Sequence, residues 1–244
     1  MGLRAVIFDL DGVITDTSRF HYLCWKKLAD QHRIFFDEEF NERFKGVSRK
    51  DCVRMLFPEI KDDVQLHELA EQKNRYYVEM IRQITPADLF DGTRELLCEL
   101  HEHGIKTAIG SASKNTLLVL QKLEIAHWFD AIADGTEVAH SKPAPDVFEL
   151  CARKLRVACS QCVVVEDAQA GIQAAHAAGM TAVGVGSRDL LPEADWVVNS
   201  VRDVDLELLN RLVLENQRLR AGEDKKGRQV GDTGGDHWVV CRFK

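Results

Sequence analysis

The chain has 244 residues, 45% of them hydrophobic, enough to bury a substantial core as one large domain or as a core with an insertion. Its 32 basic and 39 acidic side chains leave a formal charge of −7 with no basic block, which argues against nucleic acid or an anionic membrane surface as a partner. No apolar stretch reaches membrane-spanning length, the N-terminus lacks a secretory pattern, and an odd number of scattered cysteines, seven, points to reduced thiols in a cytoplasmic protein.

The first element is the apolar run Ala5-Val-Ile-Phe8, which predicts a strand over residues 3–9. A short hinge at 15–18 then leads into helical periodicity at Phe20, Leu23, Cys24, Lys27 and Leu28, followed by further helices near 38–44, 49–57 and 64–84. Residues 18–85 carry no strand-like alternation and are expected to form a small helical cap inserted after the first strand. From residue 86 helix and strand alternate, with helices at 93–103, 114–123, 145–156 and 169–178, and strands at 105–110, 130–133, 162–166, 181–185 and 195–198. That alternation predicts an α/β fold, a doubly wound parallel sheet covered on both faces, built from residues 1–17 and 86–220. A closing helix is expected over 204–220, and the polar, glycine-rich tail from 221 to 244 is expected to be disordered. Cys159 and Cys162 form a lone C-x-x-C without a second pair, so they are taken as flanks of a strand rather than zinc ligands.

The chemistry gathers at strand ends. Asp9 and Asp11 lie one residue apart after the first strand; alternate side chains of a strand point the same way, so both carboxylates can address one reacting phosphate. Gly12 lets the chain turn beneath a ligand. Gly110-Ser111-Ala112-Ser113-Lys114-Asn115 exits a strand into small hydroxyl residues and opens a helix, which makes either a phosphate site or a plain helix cap. Lys142 sits in the stiff loop Ser141-Lys-Pro-Ala-Pro-Asp146, and Glu166-Asp167 end a buried strand where adjacent acids can hold Mg²⁺ or merely cap a helix. Each signal alone is weak; together they occupy the ends of four successive strands, the edge where open α/β sheets bind ligands.

The order and content of these four motifs resemble the haloacid dehalogenase superfamily of phosphotransferases, over roughly residues 3 to 215. Between two cap helices, Phe44-Lys45-Gly46-Val47-Ser48-Arg49 is by its residues either an ordinary basic turn or a grip for a second phosphate. Together with Asp9–Thr17, Phe40-Asn41, Lys73-Asn74, Ser111–Asn115 and Ser141–Asp146, this loop is similar to the β-phosphoglucomutase family, whose members interconvert β-glucose 1-phosphate and glucose 6-phosphate through β-glucose 1,6-bisphosphate.

The resemblance implies a set of roles. Asp9 becomes the nucleophile that forms an aspartyl phosphate, and Asp11 the general acid/base. Mg²⁺ is held by Asp9, the backbone carbonyl of Asp11, Glu166 and Asp167. Ser111, the Ala112 backbone and Lys142 bind the phosphoryl group in transfer, while Arg49, Ser113, Lys114 and Asn115 hold the distal phosphate. Lys45 belongs to the same phosphate-gripping loop, and Gly46, Val47 and Ser48 contact the sugar. Thr17 and Trp25 shape the hinge side of the cleft, and His21, Lys73 and Tyr77 form a cap relay that positions Asp11. Two residues depart from the pattern: Cys52 and Ala168 stand where serines are expected. The implied protein is a monomer acting on small sugar phosphates; the rival on the same fold is a sugar-phosphate or phosphoglycolate phosphatase, and a rival of another class is a binding protein without turnover.

Overall fold

The computed structural model describes residues 2–222, and the expected disordered tail from residue 223 onward lies outside the described residues. Six strands, β1 (Ala5–Phe8), β2 (Lys106–Gly110), β3 (Ala131–Ala133), β4 (Cys162–Glu166), β5 (Thr181–Val185) and β6 (Trp196–Val198), form one sheet in the order β3-β2-β1-β4-β5-β6. All pairings are parallel; Phe8 lies opposite Ile109 on one side and Val165 on the other. The chain first steps outward from β1 through β2 to β3 and then returns to build β4, β5 and β6 on the opposite side. This reversal beside β1 is the topological switch point, where open α/β sheets leave a crevice for ligands.

Alternate residues of the strands feed two cores. Val6, Phe8, Ile109, Val163 and Val165 face one side and pack with Leu96, Leu97 and Leu100 of α5 (Thr93–Glu102), Val119 and Leu120 of α6 (Thr116–Lys122), and Leu209 and Val213 of α9 (Leu206–Ala221). Ala5, Ile7, Ala108 and Val164 face the other side and pack with Phe148 and Cys151 of α7 (Asp146–Leu155) and Ile172 and Ala175 of α8 (Gln169–Ala177). Strands buried on both faces read as continuous apolar runs, which is what the sequence has.

Between β1 and α5 lie four helices, α1 (Thr17–Gln31), α2 (Glu38–Glu42), α3 (Arg49–Leu56) and α4 (Asp63–Ile81). Acidic or hydroxyl side chains cap them: Asp16 accepts from the Arg19 amide, Asp37 from Phe40, Ser48 from Asp51 and Asp62 from Val64. Trp25, Leu28, Phe36, Phe44, Val53, Leu56 and Leu69 form a third apolar cluster among these helices. Tyr77 and Ile81, at the far end of α4, instead join the first core beside Leu10, Val13 and Ile14.

Most element ends differ from expectation by a residue or two, and three of the differences have a visible cause. Helix α4 stops at Ile81, because Gln83 and Ile84 donate to the carbonyls of Met80 and Ile81 and tighten the last turn. Helix α6 starts at Thr116 rather than 114, since the hydroxyls of Ser111 and Ser113 accept the amides of Ser113 and Asn115 and hold this stretch as a turn. Helix α9 runs through Ala221 to a left-handed Gly222, so the expected boundary at 221 falls inside a helix end. Among the described residues no helix is long and apolar enough to cross a membrane.

Candidate active site

The ends of β1, β2 and β4, the loop before α7 and the faces of α1, α3 and α4 enclose a cleft of about 970 Å³. It is lined by all the expected site residues except Thr17, Ser111 and Glu166, which are fully buried in its wall.

At the floor, the Lys142 ammonium donates to Asp9 Oδ1 at 2.5 Å and to Glu166 Oε2 at 2.8 Å, and it sits 4.7 Å from the centre of the Phe148 ring. Burial alone would lower Lys142, but the charges of Asp9 and Glu166 carry it above the ordinary lysine range, so it stays an ammonium. Asp9, Glu166 and Asp167 bring ligand oxygens within 4.8 Å of one another. Burial first, and then the charge of Asp9, push Glu166 up to about 8. Burial likewise raises Asp167, to about 7; Lys45 opposes the rise while Asp9 and Asp11 add to it. Three acids whose ligand oxygens crowd together, with two of them raised despite the nearby Lys142 and Lys45, fit a divalent cation with oxygen ligands.

Two glycines make room for this cluster. A Cβ on Gly12, whose φ is +86°, would sit 2.3 Å from Asp167 Oδ2, and one on Gly171 would sit 2.1 Å from the Glu166 carboxyl. Ala168, where a serine was expected, binds the cluster by its backbone: its amide donates to Glu166 Oε1 at 3.1 Å.

Asp11 has a different environment. Its amide donates to Asp9 Oδ2 at 2.9 Å, while Thr17 Oγ1 donates to Asp11 Oδ1 at 2.5 Å, and the Tyr77 hydroxyl lies 3.4 Å from the same oxygen. Burial and the neighbouring charge of Asp9 push Asp11 up to about 6. A carboxyl in that range can both give and take a proton near neutral pH.

On the helical side, His21 Nε2 points toward Asp11 Oδ2 at 3.6 Å, and His21 Nδ1 lies 2.6 Å from the Lys73 ammonium. Burial, followed by the charges of Lys73 and Arg49, lowers His21 well below its ordinary value, so the ring is neutral. With Lys73 donating into Nδ1, the ring proton resides on Nε2, a buried atom without a hydrogen-bond partner and aimed at Asp11. Lys73 and Tyr77, four apart on α4, thus share the face turned to Asp11, as their spacing predicts. Lys73 also lies 4.9 Å from the centre of the Trp25 ring, which lines the same cleft.

The loop 44–49 divides its two cations. Lys45 turns to Glu42 at 3.0 Å and to Asp167 at 3.5 Å, beside the acidic cluster. Arg49 turns the other way and pairs with Glu71 of α4 at 2.9 Å. Cys52 lies beneath the loop, with its sulfur 3.7 Å from the Phe44 carbonyl and 3.8 Å from that of Val47, and burial pushes its thiol up to about 12. Across the cleft, Asn115 Nδ2 donates to Asn74 Oδ1 at 2.9 Å, and Ser141 Oγ donates to Asp51 Oδ2 at 3.1 Å. Glu71, Asp51 and the pairing of Asn74 with Asn115 were not anticipated from the sequence; these pairs join positions 22, 90 and 41 residues apart, for which no local pattern exists. The loop opposite β2 also depends on Gly135, where a Cβ would stand 2.2 Å from the Ala112 carbonyl.

A parallel sheet that delivers a carboxylate pair, a buried lysine and a second acidic pair to one edge is the frame of a phosphoryl-transfer enzyme. Residues 6–185 match the haloacid dehalogenase-like hydrolase family, and the chain belongs to it. Within that family it is 44% identical over 223 residues to a β-phosphoglucomutase of Bacillus subtilis, covering 89% of this chain and 98% of the relative. The crystal structure of a β-phosphoglucomutase from Clostridium difficile superimposes with a TM-score of 0.83 at 39% identity, covering 87% of this chain and 98% of the other. A fructose-1-phosphate phosphatase of Escherichia coli is 34% identical over 184 residues, covering 74% of this chain and 95% of its own.

Proposed function

We propose that the protein is a phosphomutase that interconverts β-glucose 1-phosphate and glucose 6-phosphate through an aspartyl phosphate and β-glucose 1,6-bisphosphate. The observation that carries this reading is the convergence of Lys73, His21 and Tyr77 on Asp11 inside a cleft that also presents Arg49 and Lys114. A hydrolase needs Asp9, Asp11 and Lys142; the basic residues of the cap add a grip for a phosphate that is not reacting. The relatives named β-phosphoglucomutase support the same choice.

In this mechanism phosphorylated Asp9 yields its phosphoryl group to the 6-hydroxyl of β-glucose 1-phosphate, and Asp11 takes the hydroxyl proton. The bisphosphate then turns end for end. Asp9 attacks the 1-phosphate, the bond from phosphorus to O1 breaks, and Asp11 returns the proton to O1 as glucose 6-phosphate forms. Lys142 and Ser111 hold the phosphoryl oxygens in transfer, with the Ala112 amide as a further donor. Mg²⁺, held by Asp9, the Asp11 carbonyl, Glu166 and Asp167, would supply the positive charge that lets the Asp9 carboxylate approach a phosphate. Arg49, Ser113, Lys114 and Asn115 grip the distal phosphate, and Gly46, Val47 and Ser48 contact the sugar. The helical segment 18–85 acts as a cap over the core and keeps water from the aspartyl phosphate. On this reading the protein works as a cytoplasmic monomer on small sugar phosphates.

The second reading, a phosphatase with water as acceptor, is favoured only by relatives such as the fructose-1-phosphate phosphatase. One experiment separates them: the pure protein is incubated with Mg²⁺, β-glucose 1-phosphate and a trace of the 1,6-bisphosphate while glucose 6-phosphate and free phosphate are followed together. A mutase produces glucose 6-phosphate in large excess over phosphate; stoichiometric phosphate release without isomerisation overturns the proposal.

A further inference from the structure

Arg49, the cation proposed to grip the distal phosphate, is already engaged: its Nη2 donates to Glu71 Oε1 at 2.9 Å. Among the described residues this is the ion pair that Arg49 makes, and both side chains are half-buried on the cleft wall. Glu71 stands three residues before Asn74 on α4, so the two share a helix face, and Asn74 touches Asn115 of the core loop. The Glu71 carboxylate therefore lies within the distal-phosphate cradle. Burial lowers Arg49 and Glu71 opposes that shift, as a resident counter-ion would.

Resting on the mutase reading above, we infer that Glu71 is an internal stand-in for the distal phosphate, a positioning residue that neutralises Arg49 and must be displaced when a phosphate arrives. A carboxylate and a phosphate oxygen compete for the same guanidinium donors, and the phosphate wins by its larger charge and its extra acceptors. A dianionic end displaces Glu71 more readily than a singly charged or neutral one, so the pair selects substrates with a phosphoryl group at the non-reacting end. When the bisphosphate lets go of Arg49 in order to turn around, Glu71 takes Arg49 back and offsets the cost of release.

Three proteins test this: wild type, Glu71→Gln and Glu71→Ala. Gln keeps an oxygen that can accept from Arg49 and removes the charge, whereas Ala removes both. Calorimetric titration with glucose 6-phosphate in Mg²⁺-free buffer, which prevents turnover, gives the affinity; steady-state isomerisation gives KM and kcat. The expected result is a Kd and a KM at least fivefold lower in both variants, with kcat no higher than wild type. If neither variant binds more tightly, or if Ala alone binds more weakly, Glu71 is a brace for Arg49 and the inference fails. Failure of the mutase reading looks different: wild type would release phosphate without isomerising the sugar, whatever the variants bind.

Discussion

The Lys73 ammonium lies 2.6 Å from His21 Nδ1, and that contact fixes which nitrogen of the ring faces Asp11. It is also an expensive arrangement. Burial, only partly offset by Cys24, Cys52 and Asp11 and reinforced by Arg49, lowers Lys73 from 10.5 to about 8. Between those two values the unfolded chain holds a proton that the folded protein has released, so stability rises with pH there. Below about pH 8 both states hold it, and the cost of the buried ammonium is complete.

Lys73→Met removes this titration. The stability of the variant relative to wild type should therefore be greatest near pH 7 and should fall by about 2–4 kcal/mol on going to pH 10.5, at ~1.4 kcal/mol for each tenfold change in proton affinity. Urea unfolding of both proteins across that range measures it. The same variant should isomerise poorly at every pH, because the His21 proton is no longer held on Nε2. A stability gap that does not vary with pH would mean that Lys73 keeps an ordinary affinity for its proton in the fold.

Asp11→Asn tests the division of labour between the two aspartates. The amide cannot shuttle a proton, so isomerisation should drop on the order of a hundredfold or more. The Mg²⁺ concentration giving half-maximal rate should scarcely move, since Asp11 is proposed to offer the metal only its backbone carbonyl. A small loss of rate would remove Asp11 from the acid/base role, and a large shift in the Mg²⁺ midpoint would make its side chain a ligand.

Gly171→Ala should separate helix stability from metal binding. Gly171 lies in α8. Alanine there gains helix propensity of about 1 kcal/mol. Its Cβ, however, would meet the Glu166 carboxyl at 2.1 Å, and that carboxylate is pinned by Lys142 and the Ala168 amide. Glu166 has to move, and apparent Mg²⁺ affinity should fall on the order of 10–100-fold, the usual range for disturbing the support of a ligand. A Mg²⁺ titration of the isomerisation rate, with thermal unfolding in parallel, checks both halves. Unchanged Mg²⁺ dependence would place the metal away from Glu166.

What the sequence made legible was whatever local period or local chemistry encodes. Val6 and Phe8 against Ala5 and Ile7 divide β1 between two cores, as strand alternation requires. Asp9 and Asp11, Ser111 through Asn115, and Glu166-Asp167 follow strands and fall on one edge because parallel strands share a direction. The four-residue step from Lys73 to Tyr77 was enough to put both on one helix face. Contacts between distant positions left no such trace: Asn115 with Asn74 and Ser141 with Asp51 depend on how the helical segment meets the sheet, and Arg49 with Glu71 depends on how α3 packs against α4. The separation of Lys45 from Arg49 was hidden for the same reason. Gly46, with φ of +72°, turns the loop between them, and its neighbours there are Lys142, Ala168 and Ala170, all remote in sequence.

Arg49 gives the test that divides mutase from phosphatase. Its guanidinium lines the cleft from α3 and is proposed to hold the phosphate that is not reacting, in either orientation of the bisphosphate. Arg49→Ala removes a charge-assisted contact and should weaken distal-phosphate binding by about 2–3 kcal/mol. Glu71 is then left without its partner, and its charge adds to the loss. Binding energy from a remote phosphate drives closure and alignment, so the isomerisation rate should fall together with the affinity. Acetyl phosphate has no second phosphoryl group, and its hydrolysis depends on the floor of the site, where Lys142 meets Asp9 and Glu166. The measurement is a pair of rates, isomerisation of β-glucose 1-phosphate and hydrolysis of acetyl phosphate, in wild type and in the variant. Isomerisation should collapse while hydrolysis of the small substrate survives. Equal loss of both would assign Arg49 to the fold or to the core site, and loss of neither would detach the 44–49 loop from the substrate and move the phosphatase reading ahead.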